Sequence, residues 1–371
     1  MSLPRTNALQ RLGVNNYLWT SSGIRPFLGA VDAIGSALID FTEAVYDLAV
    51  ESDEWLPKLL KAGAPVIDHG LGVFALTCMR PQQRAPLVID RLHALSAPDD
   101  LIDRLMRLQR VMPDDLLWPL SRPAMPKTLS EAAEDDVEAF NLIMRHFDFA
   151  KDGLGISAFD PNGYGVYLIA PLPKVTTLTE KSRERWQMIA AHFGAGYRLR
   201  RALQNSTPQP ATSLPHGAEV VIDPSSFRVT DAEGQAKSAV ALKALREAAM
   251  QVDRARGKMR ETDPEQALEH WKALVRGRWS TVDWFDSDGR RFVLGLPNAP
   301  NVNDPRGLTT REMQVVAYAL FGQTNKLIAY NLGLSKGRVS TLLRSAMRKI
   351  GVQTRGQLVK RLRDFAAINE D

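Results

Sequence analysis

The stretch TNKLIAYNLGLSKGRVSTLLRSAMRKIG, residues 324–351, constrains the fold of this chain more than any other segment. Two short runs with the apolar period of a helix lie on either side of Gly333. Glycine readily adopts the left-handed backbone conformation that ends one helix and starts a tight turn. Thr324 and Ser335 precede the two runs, where a hydroxyl can cap the first turn of a helix. The spacing therefore predicts a short helix, a glycine turn and a second capped helix, which are helix-turn-helix dimensions.

Two further helices are predicted on either side of this pair. Thr309 with Glu312 has the spacing of a capping box, and Thr354 with Gln357 has the same spacing. Apolar residues follow each box at three- and four-residue steps, as on the buried face of a helix. The last 60 or so residues are therefore expected to form a four-helix domain.

The third predicted helix divides into an apolar and a polar face. Its apolar face is expected to point inward and comprises Val339, Leu342, Leu343, Ala346, Met347 and Ile350. Its outward face is expected to comprise Lys336, Arg338, Ser340, Thr341, Arg344, Ser345 and Arg348. Ser340, Arg344 and Arg348 recur at four-residue steps and should form one ridge. Guanidinium groups on such a ridge can reach phosphate oxygens or guanine base edges in a major groove.

The charge of the chain is concentrated in this terminal segment. From Pro305 onward twelve Lys and Arg residues face four Asp and Glu residues, a net charge of +8. The rest of the chain then carries 35 basic and 38 acidic side chains, a net charge of −3. A basic module on a nearly neutral body is typical of an appendage that binds a polyanion.

The same segment resembles the LuxR/GerE-type helix-turn-helix of bacterial transcription regulators. The runs LTTRE, TNKLIA, LGLS, RKIGV and TRGQLV lie at the positions and spacing of that family. The resemblance implies a four-helix domain whose third helix reads the major groove and whose fourth helix commonly helps dimerisation. It implies candidate DNA-binding residues Thr324, Asn325, Lys326, Ser335, Lys336, Arg338, Ser340, Thr341, Arg344 and Arg348. It implies candidate dimerisation residues Gln357, Leu358, Arg361 and Leu362.

Two positions depart from the family pattern. The family usually has Thr-Val-Lys where this chain has Arg338, Val339 and Ser340, and often has histidine at the position of Leu342. The missing lysine removes one expected phosphate or base contact, for which Arg338 and Lys336 can compensate. The operator of other family members therefore cannot be carried over to this chain.

A simpler interpretation of the basic helix is that it solvates the surface or docks a protein partner. The four capped helices and the segregated charge favour a different function, that of a sequence-specific DNA-binding transcriptional regulator controlled by a ligand or partner through its N-terminal sensor domains. It is expected to act as a homodimer on double-stranded DNA, with RNA polymerase as a further candidate partner. The alternative is a protein-interaction or scaffold protein whose C-terminal helices dock a partner instead of DNA.

Proline-rich connectors divide the chain into predicted domains. The boundaries are 1–203 for a sensory domain, 204–216 for a linker, 217–297 for a second domain, 298–307 for a linker, and 308–371 for the helix-turn-helix domain. The first domain resembles a GAF-type sensor, and the second faintly resembles a PAS domain. The predicted fold is therefore multidomain, with α+β sensor domains followed by an all-α domain. No sequence repeat is visible.

Other function classes lack residues to support them. The chain has no GxSxG, Walker or GxGxxG motif, so no enzyme is predicted. The six histidines are scattered along the sequence, so no metal site is predicted. No cofactor is predicted either. A sensor domain can hold a small-molecule ligand, but the sequence does not identify one. The acidic pairs such as Asp99 and Asp100 are interpreted as helix caps and not as a receiver pocket. Cys78 is the only cysteine, and with no long apolar run the chain is expected in the cytoplasm.

Overall fold

The computed structural model describes residues 28–79, 87–111, 126–132, 137–159, 164–204, 214–271, 274–275, 279–297, 309–350 and 352–360. Two antiparallel five-stranded sheets with their helices are followed by a C-terminal group of helices. The predicted multidomain layout, α+β followed by all-α, is confirmed. Each described helix is too short or too polar to cross a bilayer.

The first sheet and its helices are formed by the described residues up to Gln204. The helices are α1 (Leu28–Val45), α2 (Ser52–Ile67), α3 (Leu101–Val111), α4 (Leu129–Ala132), α5 (Val137–His146) and α6 (Glu180–Gln204). The strands are β1 (Val73–Met79), β2 (Val88–Leu95), β3 (Lys127–Thr128), β4 (Asp152–Phe159) and β5 (Tyr164–Leu172). Their order in the sheet is β2-β1-β5-β4-β3, and every pairing is antiparallel.

Both faces of this sheet are covered, which explains why β1 is apolar at nearly every position. Alternate side chains of a strand point to opposite faces. Val73 and Ala75 pack into the core shared with α1, α2 and α6, whereas Phe74 packs against Leu101 and Leu108 of α3 on the other face. The sheet therefore lies between two layers of helices.

The second sheet accounts for residues 220–297. Its strands are β6 (Val220–Ile222), β7 (Val229–Ala232), β8 (Leu274–Val275), β9 (Trp279–Phe285) and β10 (Arg291–Pro297), in the order β7-β6-β10-β9-β8. Its helices are α7 (Ala239–Arg256), α8 (Met259–Thr262) and α9 (Pro264–His270). In both sheets the order is second, first, fifth, fourth and third strand. The same arrangement thus occurs twice, although the sequence shows no repeat. The GAF and PAS resemblances remain predictions.

The two sheet-containing parts share a core. Leu268 and Trp271, which belong to the second part, lie in the same buried cluster as Phe41 of α1 and Phe193 of α6. Arg256 adds an ion pair to Glu43 of α1 at 3.3 Å. Helix α1 therefore bridges the two parts, and together they form one body.

The C-terminal helices have a small core of their own. Helix α10 (Thr310–Leu320), α11 (Asn325–Leu332) and α12 (Lys336–Ile350) are followed by a helical turn from residue 355. Val315, Val316, Ile328, Val339 and Ala346 are fully buried between them. Three helices and the start of a fourth thus form where the capping and apolar periods predict them.

One close helix contact yields a stability prediction. Gly196 of α6 faces α1, and a Cβ added there would lie 2.6 Å from the carbonyl oxygen of Val45. Backbone cannot yield as a flexible side chain does, so we expect Gly196→Ala to lower the free energy of unfolding by about 1–3 kcal/mol. Glycine to alanine in an open helix should instead raise it, by up to about 1 kcal/mol. Gly337 of α12 has no atom within 4 Å of an added Cβ and provides that control. Urea unfolding followed by circular dichroism measures both; equal effects would contradict the contact.

Candidate nucleic-acid interface

The four caps that the sequence predicts in this domain are present. Thr309 and Glu312 form a reciprocal capping box, in which the Glu312 carboxylate accepts from the Thr309 N–H at 2.7 Å. The Thr324 hydroxyl accepts from the Leu327 N–H at 3.3 Å, and the Ser335 hydroxyl accepts from the Arg338 N–H at 3.2 Å. At the fourth, the Gln357 N–H donates to the Thr354 hydroxyl and the Thr354 N–H donates to the Gln357 side-chain oxygen, each at 3.2 Å. These bonds set where each helix begins and hence which side chains its first turn exposes.

Gly333 sets the angle between α11 and α12. It has φ 60° and ψ 35°, the left-handed region in which a side chain is strained. The Leu334 N–H then returns to the Ala329 carbonyl at 2.8 Å and closes the end of α11. The turn therefore holds α12 in a fixed orientation across α11.

Helix α12 has the two faces that its sequence predicts. Val339, Leu342, Leu343 and Ala346 are buried against α10 and α11, and Met347 is half-buried. The four cations of its outer face are exposed, namely Lys336, Arg338, Arg344 and Arg348. The first turn of α12 holds no acidic residue, so its free N–H groups and its cations favour an anion at the same end.

Two of the three hydroxyl residues of this outer face, Ser340 and Thr341, form hydrogen bonds within the protein. Ser340 is half-buried: its hydroxyl donates to the Lys336 carbonyl and accepts from the Asn325 amide, each at 3.1 Å. Thr341 is exposed, but its hydroxyl donates to the Gly337 carbonyl at 3.0 Å. The predicted ridge is therefore strongest at Arg344 and Arg348, because Ser340 serves mainly to fix Asn325 against α12.

Arg355 has a role that the sequence analysis missed. Its guanidinium donates to the carbonyls of Ala319 and Gln323 and to the Asn325 side chain. Burial lowers the pKa of this guanidinium, which reflects its position inside the domain. Arg355 therefore satisfies carbonyls at the end of α10, and its charge is not part of the outer face. The unsatisfied carbonyls that end every helix are the only signal for such a residue in the sequence.

The remaining predicted DNA-binding residues lie at the start of α11. Thr324 is exposed and caps the helix, whereas Asn325 is half-buried between Ser340 and Arg355. Lys326 is exposed, and its ammonium group pairs with the carboxylate of Glu184 on α6. The candidate interface thus comprises the outer face of α12 and the N-terminus of α11.

The candidate dimerisation residues that the structure describes differ in their exposure. Gln357 is exposed, and its side chain accepts from the N–H groups of Gln353 and Thr354. Leu358 is fully buried in the core of its own domain, so the expectation that it lies on a dimer surface is corrected. A leucine one turn into a helix that packs on α12 is needed to close that small core. Arg361 and Leu362 lie outside the described residues.

An apolar cavity lies in the first part of the chain, between the sheet and helices α3 and α5. Its volume is about 200 Å³, and its walls include Phe74, Leu105, Ile143, Met144 and Phe147. The buried carboxylate of Asp152 borders it but accepts four hydrogen bonds from Ser130, Gly153 and Thr176. Tyr167 lines the cavity, whereas Trp186, Trp271 and Trp279 are buried in the core.

Metal chemistry finds no support in the described part of the chain. No group of three His, Cys, Asp or Glu side chains within it could hold a metal ion. The Asp286–Gly289 segment is a hairpin turn between β9 and β10, in which Asp286 accepts from the N–H groups of Asp288 and Arg290.

Comparison with known proteins agrees with this geometry at the C-terminus. Residues 306–362 match the family described as bacterial regulatory proteins, luxR family. No curated protein matches the chain. Among solved structures, SdiA in complex with octanoyl-rac-glycerol aligns with 92% of this chain and 96% of its own, at 10% sequence identity and a TM-score of 0.28. This low structural similarity gives no information about a ligand or mechanism of the chain. The chain therefore carries, at residues 306–362, a helix-turn-helix domain of the LuxR family of bacterial regulatory proteins.

Proposed function

We propose that the protein is a cytoplasmic, sequence-specific DNA-binding transcription regulator that acts as a homodimer and is controlled by its N-terminal body. One observation carries the proposal: four exposed cations, Lys336, Arg338, Arg344 and Arg348, lie on a helix seated on a helix-turn-helix core. Nothing else in the described residues combines this charge with a shape that fits a major groove.

The two elements of the interface would have different tasks. Helix α12 enters the major groove, where the guanidinium forks of Arg344 and Arg348 reach guanine O6 and N7 or the flanking phosphates. The N-terminus of α11, with Thr324 and Lys326, lies over the phosphate backbone and positions α12. Two copies related by a twofold axis read half-sites about 34 Å apart. The exposed Gln357 supplies part of the dimer contact.

Control would come from the cavity beside the first sheet. A cavity of about 150 Å³ is known to hold benzene, so the 200 Å³ observed here suits a small aromatic compound or a short acyl chain. Asp152 is already satisfied by four hydrogen bonds, so the ligand need not carry a positive charge. Among the described residues, the exposed Lys127 is the only lysine or arginine at the cavity, and it suits a polar group at one end of the ligand.

The direct test is titration of the full chain with double-stranded genomic fragments at increasing salt. If α12 and its twofold mate contact about six phosphates, the logarithm of the affinity should fall with the logarithm of salt at a slope near −5. A protein whose C-terminal helices dock only another protein would bind no DNA at 50 mM salt, and this result would contradict the proposal.

The ligand part is tested separately by native mass spectrometry of the purified protein. We expect a retained small molecule in the wild type and its loss in Ile143→Trp, because the larger side chain fills the cavity. A wild-type mass equal to that of the bare chain, with no change in thermal stability on adding indole or octanoate, would restrict the proposal to a body without a ligand.

A further inference from the structure

The helix-turn-helix domain is held against the body along one face of α6. This face, called the docking face below, comprises Glu184, Ala191, His192 and Arg198. Ala191 packs on Leu327 of α11, the Arg198 guanidinium donates to the Tyr318 hydroxyl of α10, and Glu184 pairs with Lys326. The body therefore contacts the two helices that precede the recognition helix and leaves the cations of α12 exposed.

A buried histidine lies at the centre of this contact. The two ring nitrogens of His192 are hydrogen-bonded to the hydroxyls of Tyr46, which directly follows α1, at 3.0 Å, and of Tyr330 on α11. Tyr330 also donates to the carbonyl of Leu268 on α9 at 3.4 Å. One side chain of the DNA-binding domain is thus hydrogen-bonded to both sheet-containing parts of the body. A neutral imidazole has one donor and one acceptor nitrogen, so it matches two tyrosine hydroxyls without an unpaired group.

The docking also reaches the wall of the apolar cavity. Phe321, which follows α10, packs into a cluster with Leu76 and Tyr167. Both of these residues line the cavity beside the first sheet. Phe321 of the DNA-binding domain therefore packs against the wall of the cavity in which we propose that a ligand binds.

At the edge of the docking face, a carboxylate occupies the place where a phosphate is expected. The N-terminus of α11 is one of the two elements that would meet the DNA backbone, and Lys326 is its cation. In the docked arrangement the Lys326 ammonium is already paired with Glu184, and the Glu184 charge would repel a phosphate that approached. Both side chains are half or more exposed, so the pair is broken at moderate cost.

We propose that this docked arrangement is a state of reduced DNA affinity, in which Glu184 competes with the phosphate backbone for Lys326 while the Tyr330–His192–Tyr46 chain holds the domain in place. This inference rests on the proposed DNA-binding function and adds the surface that restrains it. Release of Tyr330 frees the N-terminus of α11 and removes the carboxylate from the path of the DNA.

The test is a comparison of Glu184→Gln with Glu180→Gln in the full chain, titrated with the same double-stranded DNA at 50 mM salt. Both variants remove one negative charge from α6, but Glu180 lies about one turn away from the residue paired with Lys326. Because an exposed ion pair changes an equilibrium by up to about 5-fold, and two copies bind together, we expect Glu184→Gln to bind about 3- to 10-fold tighter. Glu180→Gln should stay within about 2-fold of the wild type.

Two further variants show whether the gain in DNA affinity arises from the loss of the docked contact. In the Lys326→Gln background, Glu184→Gln should give no gain, because the competition has lost its cation. Tyr330→Phe keeps the ring in its cluster but removes its bonds to His192 and Leu268, and should increase both DNA affinity and hydrogen exchange of the α11 amides.

The outcomes separate this inference from the function on which it rests. If the wild type binds DNA and Glu184→Gln behaves like Glu180→Gln, the docking face does not restrain DNA binding, and only the inference is overturned. A gain that persists in Lys326→Gln has the same consequence. If none of the proteins binds DNA at 50 mM salt, the proposed function is overturned, and the inference with it.

Discussion

The double variant Arg344→Ala, Arg348→Ala is expected to lose at least about 100-fold in affinity for a specific DNA site. Each guanidinium that contacts a base is worth about 1–3 kcal/mol, and a homodimer presents both of them twice. The two side chains are exposed on the outer face of α12, so the substitution should leave the fold intact. A mobility-shift titration at constant salt, with circular dichroism to verify folding, provides the measurement.

A charge-matched control distinguishes contact from general electrostatic attraction. Arg107→Ala, Arg110→Ala removes two exposed arginines from α3 in the body. Because these residues lie outside the candidate interface, affinity should fall by less than about 3-fold through the change in net charge. Equal losses in the two double variants would mean that α12 does not approach the DNA more closely than the body does.

The second large effect is a decrease in the free energy of unfolding at acidic pH. Burial lowers the pKa of the His192 imidazole to about 3 from its ordinary value of 6.5, although a hydrogen bond from the ring to the Leu268 carbonyl opposes this shift. Below pH 6.5 the unfolded chain therefore binds a proton at this residue that the folded chain does not bind. The free energy of unfolding should fall by about 1.4 kcal/mol for each pH unit between 6.5 and 3. Between pH 7.5 and 5 the loss amounts to about 2 kcal/mol.

His192→Gln is the matched control for this pH dependence. Glutamine keeps a donor and an acceptor near Tyr46 and Tyr330 but does not titrate. Carboxylates contribute equally in both proteins; Glu43, whose pKa burial raises, works in the opposite direction. The measured quantity is the difference between wild type and variant in urea unfolding at pH 7.5, 6.5 and 5. A difference that stays constant across this range would show that His192 is not buried as a neutral ring.

The C-terminal domain was predictable because its signals are local. A threonine cap bonds to a residue three positions away, and a leucine stripe repeats every three or four residues. Thr309, Thr324 and Ser335 therefore cap the helices as predicted, and Gly333 has the predicted left-handed turn. The exposure of Arg344 and Arg348 follows from the same period. The match of residues 306–362 to a regulator family agrees with this local pattern.

The contacts that individual side chains make were less predictable. Arg355 was counted only in the net charge of the segment, but it binds the carbonyls of Ala319 and Gln323. Leu358 was assigned to a dimer surface, but it closes the core of its own domain. Ser340 was placed on the ridge, but it is half-buried beside Asn325. In each case the partner lies on another helix, and helical periodicity says only which face a side chain occupies, not what meets that face.

The repeated sheet order shows the same limit at a larger scale. Both sheets have the order second, first, fifth, fourth and third strand, yet no sequence repeat marks them. Alternating apolar residues predict that a strand exists and which face is buried, and many sequences satisfy that requirement. Which strands become neighbours depends on contacts between distant segments, such as the pairing of Leu76 on β1 with Tyr167 on β5.

By itself, the sequence determined where the helices of the DNA-binding domain begin, which side of α12 carries cations, and that the charge of this domain differs from that of the body. Only the tertiary structure decided that this domain rests on α6. Lys326 meets Glu184 across 142 residues and Tyr330 meets His192 across 138 residues. No period or cap connects positions so far apart, because such pairs form only when the packing of apolar faces brings their helices together.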